Sequence, residues 1–380
     1  MRTQIKKFSK WIVIVMVAYI AILIGGFFGV KYGLTNTAGV VDNKSGYFQK
    51  ASDEISGMEK IEQADTDDQG AKSEIAAIKN TNYCEIKAIG LFAPANASRI
   101  VAVYTKTGSD ALAAKMILAV NLRLQENTDF QAMTLQCQSS AAADQISLAD
   151  LQQKFGNNAG NDIFPWMNTP EWQTIKDATL KDKDAINKAG AVAGVEPRLI
   201  VASMIVEQLR LFNSEREVFK KFFEPLKILG NADKISLGVM GIKEATAIQI
   251  ENHLKDPSSP YYLGSQNEHL LDFTTNEPVQ ERFARLTDEK NNHYYSYLYG
   301  ALYLKEMMEQ WRRAGFDIQY RTEIVGTLFN VGFPQSKPNA SPKVGGSAID
   351  VGNGKYSFGS LAYEFYYSGE LADDFPYIIK

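Results

Sequence analysis

A chain of 380 residues that is 45% hydrophobic and 22% charged has the composition of globular protein and enough length for two domains with real cores. Its formal charge of −4, with no basic run beyond the N-terminus, leaves no electrostatic footprint for nucleic acid, which is not expected as a partner. His253, His269 and His293, the only histidines, have no metal-ligand spacing, and neither a glycine-rich phosphate loop nor a nucleophile elbow occurs, so no metal or cofactor is expected.

In chain order, "MRTQIKKFSK" supplies Arg2, Lys6, Lys7 and Lys10 without an acid, and residues 11–30 follow as an uncharged, mostly apolar run. At helical rise that run spans roughly 30 Å, the thickness of a bilayer core. The expectation is a single-pass anchor within residues 1–35, with a cytoplasmic N-terminus and an extracytoplasmic body at the cell membrane. Residues 36–79 are polar and poor in large apolar side chains, which predicts a stalk. Over 80–150, "CEIKAIGLF" and "RIVAVYT" read as short strands. "GSDALAAKMILAVNLRLQ" reads as a helix capped by Ser109 or Asp110, and "FQAMTLQCQ" as a further strand. This predicts a small α/β module for contacts with envelope protein partners. Cys84 and Cys137, the only cysteines, are a candidate disulfide whose loop is worth roughly 4 kcal/mol in the chain-entropy model.

Residues 151–380 turn helical in period. Helices are predicted over about 170–191, 197–212, 214–228, 241–254, 278–286, 292–314 and 320–330, followed by an aromatic-rich C-terminal section. The fold class expected overall is α+β, with a mainly α final domain. Within "VASMIVEQLR" one carboxylate, Glu207, interrupts a stretch that is apolar around the whole helix, so that helix should be buried on nearly all sides. Burial penalises an ionised carboxyl, and a glutamic acid that keeps its proton can give it to a leaving-group oxygen. The plainer alternative is a Glu near a helix end that reaches solvent or pairs with Arg210.

Three segments carry a family resemblance. "INKAGAVAGVEPRLIVASMIVEQ" keeps Ile186, Ala189, Gly194, Val195, Pro197 and Leu199 ahead of Glu207. "GVMGIKEATA" keeps Gly238, Met240, Ile242, Ala245, Thr246 and Ala247. "LFNVG" keeps Asn330 and Gly332, with Phe329 in an aromatic position. In this order they resemble the lysozyme-like domain of lytic transglycosylases and goose-type lysozymes, over about residues 170–370. The resemblance implies that Glu207 is the single acid/base cleaving the β-1,4 bond between N-acetylmuramic acid and N-acetylglucosamine in peptidoglycan, its glycan partner. Gly238 and Met240 would form a cleft wall where a sugar approaches the backbone, Asn330 would bind the N-acetyl group or the acid, and Tyr363 would be a late active-site tyrosine.

The chain also departs from the family pattern. The serine expected after the acid is Gln208, the glutamine of the second motif is Gly241, and 31 positions separate Glu207 from Gly238, more than is usual. A hydrolytic muramidase would need a second carboxylate, for which Glu215, Glu217 and Asp233 are candidates. Loss of the motif glutamine favours the alternative of a non-catalytic peptidoglycan-binding or envelope scaffold protein on the same fold.

Overall fold

The computed structural model describes residues 69–137, 146–156, 162–212, 236–287, 293–352 and 354–378, besides Trp11, Met16 and Gly160. The predicted helix over 214–228 and the carboxylates Glu215, Glu217 and Asp233 lie outside these. So does the expected span at 11–30, apart from Trp11 and Met16. No helix among the described residues is long and apolar enough to cross a membrane, so the single-pass anchor and the membrane localisation built on it are not retained.

The N-terminal part is helical where strands were expected. Helices α1 (Gln69–Phe92), α2 (Pro94–Thr107), α3 (Asp110–Leu124), α4 (Thr128–Cys137) and α5 (Leu148–Phe155) pack so that α1 touches α2, α3 and α4 while α5 lies against α1 and α2. The fold class is therefore mostly helical, not α+β, and residues 80–150 are not an α/β module. The expected boundary between stalk and module at 79/80 falls inside α1.

The physical reason is visible in each segment. Short runs rich in β-branched residues fit a buried helix as well as a strand. In "CEIKAIGLF" Ile86 and Ile89 are buried at spacing three, and Tyr83 just before it continues the same helical stripe. In "RIVAVYT" Ile100, Val101, Val103 and Tyr104 are buried together, and Pro94 ahead of it opens α2 at its first turn. In "FQAMTLQCQ" Phe130, Thr134 and Cys137 face inward at spacing four and three, while Leu135 is 64% exposed. Ser109 caps α3, accepting from Leu112 N at 3.1 Å. Cys84 and Cys137 form a disulfide that ties α1 to α4.

The C-terminal part follows the predicted helices more closely. They are α6 (Pro170–Lys181), α7 (Lys183–Ala193), α8 (Pro197–Phe212), α9 (Glu244–Lys255), α10 (Pro278–Thr287), α11 (Tyr294–Arg313), α12 (Thr322–Val331) and α13 (Phe358–Tyr367). The single helix expected over 170–191 is broken at Asp182, whose buried carboxylate accepts from Tyr297 Oη at 2.9 Å and lies 2.6 Å from His293 Nδ1. Two antiparallel hairpins complete the fold. One is β1 (Ser236–Leu237) with β2 (Ile242–Lys243), and the other is β3 (Ala348–Val351) with β4 (Gly354–Ser357).

α8 is the axis of this part. It packs on α6, α7, α11, α12, α13 and β3, and from Arg198 to Leu211 every side chain except Gln208 is buried. A left-handed Gly194 ends α7, and Pro197 starts α8 three residues later. The N-terminal helices dock onto the same body. Lys115 donates to Tyr320 O at 2.8 Å, Arg99 Nε donates to Ser368 O at 3.2 Å, and Arg123 pairs with Glu364. Apolar side chains from both parts belong to one continuous core.

Candidate active site

Glu207 lies in the last part of α8 and is 4% exposed. Its surroundings are not purely apolar. Arg210, one turn on and 9% exposed, turns its guanidinium back onto the carboxylate. Nε donates to Oε2 at 2.9 Å and Nη2 donates to Oε1, so both oxygens are engaged by one planar fork. The sequence holds both residues at i, i+3, the spacing that brings side chains together on a helix. The pairing that the plainer reading allowed is present, and it is buried.

The β1–β2 hairpin closes over the other side of the carboxylate. Its turn, Gly238 to Gly241, is clasped by a hydrogen bond from Gly241 N to Gly238 O at 3.2 Å. Gly241 has φ of +62°, and a Cβ built there would overlap Glu207 Oε1 and come within 2.7 Å of its Cγ. Glycine is therefore required twice, for the left-handed backbone and for the close approach. Gln208, where the family pattern has serine, donates from Nε2 to Val239 O at 2.7 Å. Ser296 Oγ on α11 accepts from Met240 N at 3.3 Å. Two side chains from two helices thus hold the turn against Glu207. Ser296 went unnoticed in the sequence because nothing local marks a serine in a tyrosine-rich helix as a turn anchor.

The other expected positions divide. Gly238 has φ of +64°, but the space a side chain would fill is taken by Leu286 O and Ser296 Oγ, so this glycine serves packing and not the approach of a sugar. Met240 is fully buried, packed on Gly300, and does not form a cleft wall. Asn330, near the end of α12, accepts through Oδ1 from Ser347 N at 2.7 Å and from Ser347 Oγ at 3.0 Å, while its Nδ2 makes no hydrogen bond among the described residues. Tyr363 is 1% exposed and donates to Lys115 O at 3.1 Å, in the seam between α13 and α3, which makes it a core residue.

Each histidine stands beside a carboxylate: His253 Nδ1 is 2.9 Å from Glu306, His269 Nδ1 is 2.7 Å from Asp272, and His293 faces Asp182. Burial pushes the Glu306 carboxyl well above its usual range and lowers His253. Among the described residues no group of three or more His, Cys, Asp or Glu is placed to hold a metal ion.

A cleft of about 510 Å³ between the C-terminal halves of α7 and α11 is lined by Gly190, Gly194, Glu196, Lys305, Arg312 and Tyr320. It opens at the N-terminal end of α8, roughly 15 Å of helix from Glu207, and Glu207 lines none of it. Its polar groups already serve the fold: Glu196 accepts from Tyr366 Oη at 2.6 Å, and Lys305 Nζ donates to Ala193 O at 2.6 Å. The contact of Glu207, Arg210 and the hairpin is the stronger candidate for chemistry. Compared with family models, curated proteins and solved structures, the chain matches none.

Proposed function

We propose that the protein cleaves peptidoglycan glycan strands as a lytic transglycosylase, with Glu207 as the single acid and base. The observation that carries this reading is the seating of the Gly238–Gly241 turn on the Glu207 carboxylate, which joins two of the three motif segments across 31 positions of sequence. Asn330, with an amide nitrogen making no hydrogen bond among the described residues, adds a donor suited to a sugar N-acetyl carbonyl.

In this mechanism protonated Glu207 gives its proton to the glycosidic oxygen, and the bond from the muramoyl C1 to that oxygen breaks. The muramoyl 6-hydroxyl oxygen then bonds to C1, and its proton passes to the Glu207 carboxylate. The ring closes as a 1,6-anhydro end, the acid is restored and no water is consumed. Hydrolysis would add a water and a base to activate it.

The test is release of muropeptides from purified cell wall by wild type and Glu207→Gln, read by mass spectrometry. Anhydro-ended products from wild type and at least about a hundredfold less from the variant are expected. Equal release by both would remove Glu207 from the chemistry. A second reading, a non-catalytic peptidoglycan-binding scaffold, draws on Gly241 in place of the motif glutamine and on the engagement of both Glu207 oxygens by Arg210. It predicts sedimentation of the protein with cell wall and no soluble product.

A further inference from the structure

We propose that Arg210 is a positioning residue for Glu207, supplying the orientation that the missing second-motif amide would otherwise give; this rests on the glycan-cleaving reading above. The second motif of the resembling family places a glutamine side chain in the cleft, and here that position is Gly241. A side chain at 241 cannot coexist with the present Glu207, because even its Cβ would overlap the carboxylate. The Glu207 carboxylate itself fills that space, and the hydrogen-bonding role passes to the guanidinium of Arg210, which reaches both oxygens from the same helix.

Gln208 reinforces the exchange. It holds the turn by Val239 O, so the backbone at Gly241 stays pressed against one side of the carboxyl while the Arg210 fork holds another. A planar fork with two parallel donors fixes a carboxylate in rotation as well as position, which a single amide N–H does not. Arg210 touches Glu207 through these bonds and need not touch the glycan. Its loss should therefore act on turnover and leave substrate affinity unchanged.

The experiment uses the full chain and soluble, peptide-free glycan strands, with wild type, Glu207→Gln, Arg210→Met and Arg210→Lys compared by steady-state release of anhydro ends. Arg210→Met is expected to lower kcat by at least about tenfold with KM within about twofold, and Arg210→Lys to recover part of that loss. Thermal unfolding of Arg210→Lys, which keeps a charge beside Glu207, checks that the comparison is made on folded protein. Arg210→Met with the kcat of wild type or higher, a change confined to KM, or Arg210→Lys no better than a folded Arg210→Met would each overturn the role given to Arg210 while leaving Glu207 as the acid. If wild type and Glu207→Gln release equally little, the glycan-cleaving reading itself falls, and Arg210 has no reaction to serve.

Discussion

Gly241 and Glu207, 34 positions apart, are in contact in a way that no other residue at 241 permits: the glycine has φ of +62°, and the carboxylate occupies the space of its absent side chain. Gly241→Ala should therefore move Glu207 off its Arg210 fork as well as strain the turn, since the left-handed conformation alone costs about 1–2 kcal/mol with a Cβ present. The expected result is a Tm lower by several degrees and glycan release reduced more than stability alone explains. Differential scanning calorimetry and muropeptide release on the same preparation check this.

Arg198 should be among the most sensitive positions for stability. It is fully buried and donates to the carbonyls of Tyr366 at 2.8 Å, Glu370 at 2.9 Å, Phe375 at 3.2 Å and Phe365 at 3.3 Å, with the Tyr377 ring centroid 4.2 Å away. Arg198→Met removes all four bonds; Tyr366 O still accepts from Tyr377 Oη and Phe365 O from Ser368, but among the described residues the carbonyls of Glu370 and Phe375 lose their donor, at a cost of about 3–5 kcal/mol. Hydrogen exchange should show the loss first between Phe365 and Phe375.

Reduction of Cys84–Cys137 frees α4 from α1, elements 53 positions apart at the bridge. The chain-entropy model puts the loss at about 4 kcal/mol. The double variant Cys84→Ser, Cys137→Ser should match the reduced wild type in denaturant midpoint, and reductant should no longer shift it. A midpoint in the double variant equal to that of oxidised wild type would show that the bridge adds no stability.

Glu85 gives the N-terminal helices a pH dependence. Burial raises its pKa from 4.5 to about 7, and the hydrogen bond donated by Asn121 Nδ2 at 3.2 Å offsets only part of this. The native state holds the proton more tightly than the unfolded chain between those values, so stability falls as pH rises from about 4.5 to about 7. Glu85→Gln should be more stable than wild type by about 2–3 kcal/mol at pH 8 and close to it at pH 4.5. Urea unfolding at the two pH values measures the difference; equal gains at both would exclude titration of Glu85 as the cause.

Much of the C-terminal part was legible in the sequence. The helix from Pro197 to Phe212, its burial on nearly every face, and the nearness of Glu207 to the "GVMG" turn follow from apolar spacing, an N-terminal proline and the family-like order of the segments. The break at Asp182 could not be read, because it depends on His293 and Tyr297, 111 and 115 positions away. The sequence could not tell an active-site Tyr363 from a core one, since an aromatic ring with a hydroxyl fits either. Its bond to Lys115 O comes from another part of the chain.

By itself, then, the sequence determined the helices whose apolar stripe is long and capped, the two cysteines available to pair, and the candidate acid. Tertiary structure alone decided that "CEIKAIGLF", "RIVAVYT" and "FQAMTLQC" are helical, because a run of seven to nine residues satisfies strand and helix periods alike until neighbours choose which faces are covered. It also decided the surroundings of Glu207. A carboxyl in an apolar stretch is read as lacking a charged partner, but the rotamers of Arg210 and the path of a hairpin 31 positions downstream determine what its oxygens meet.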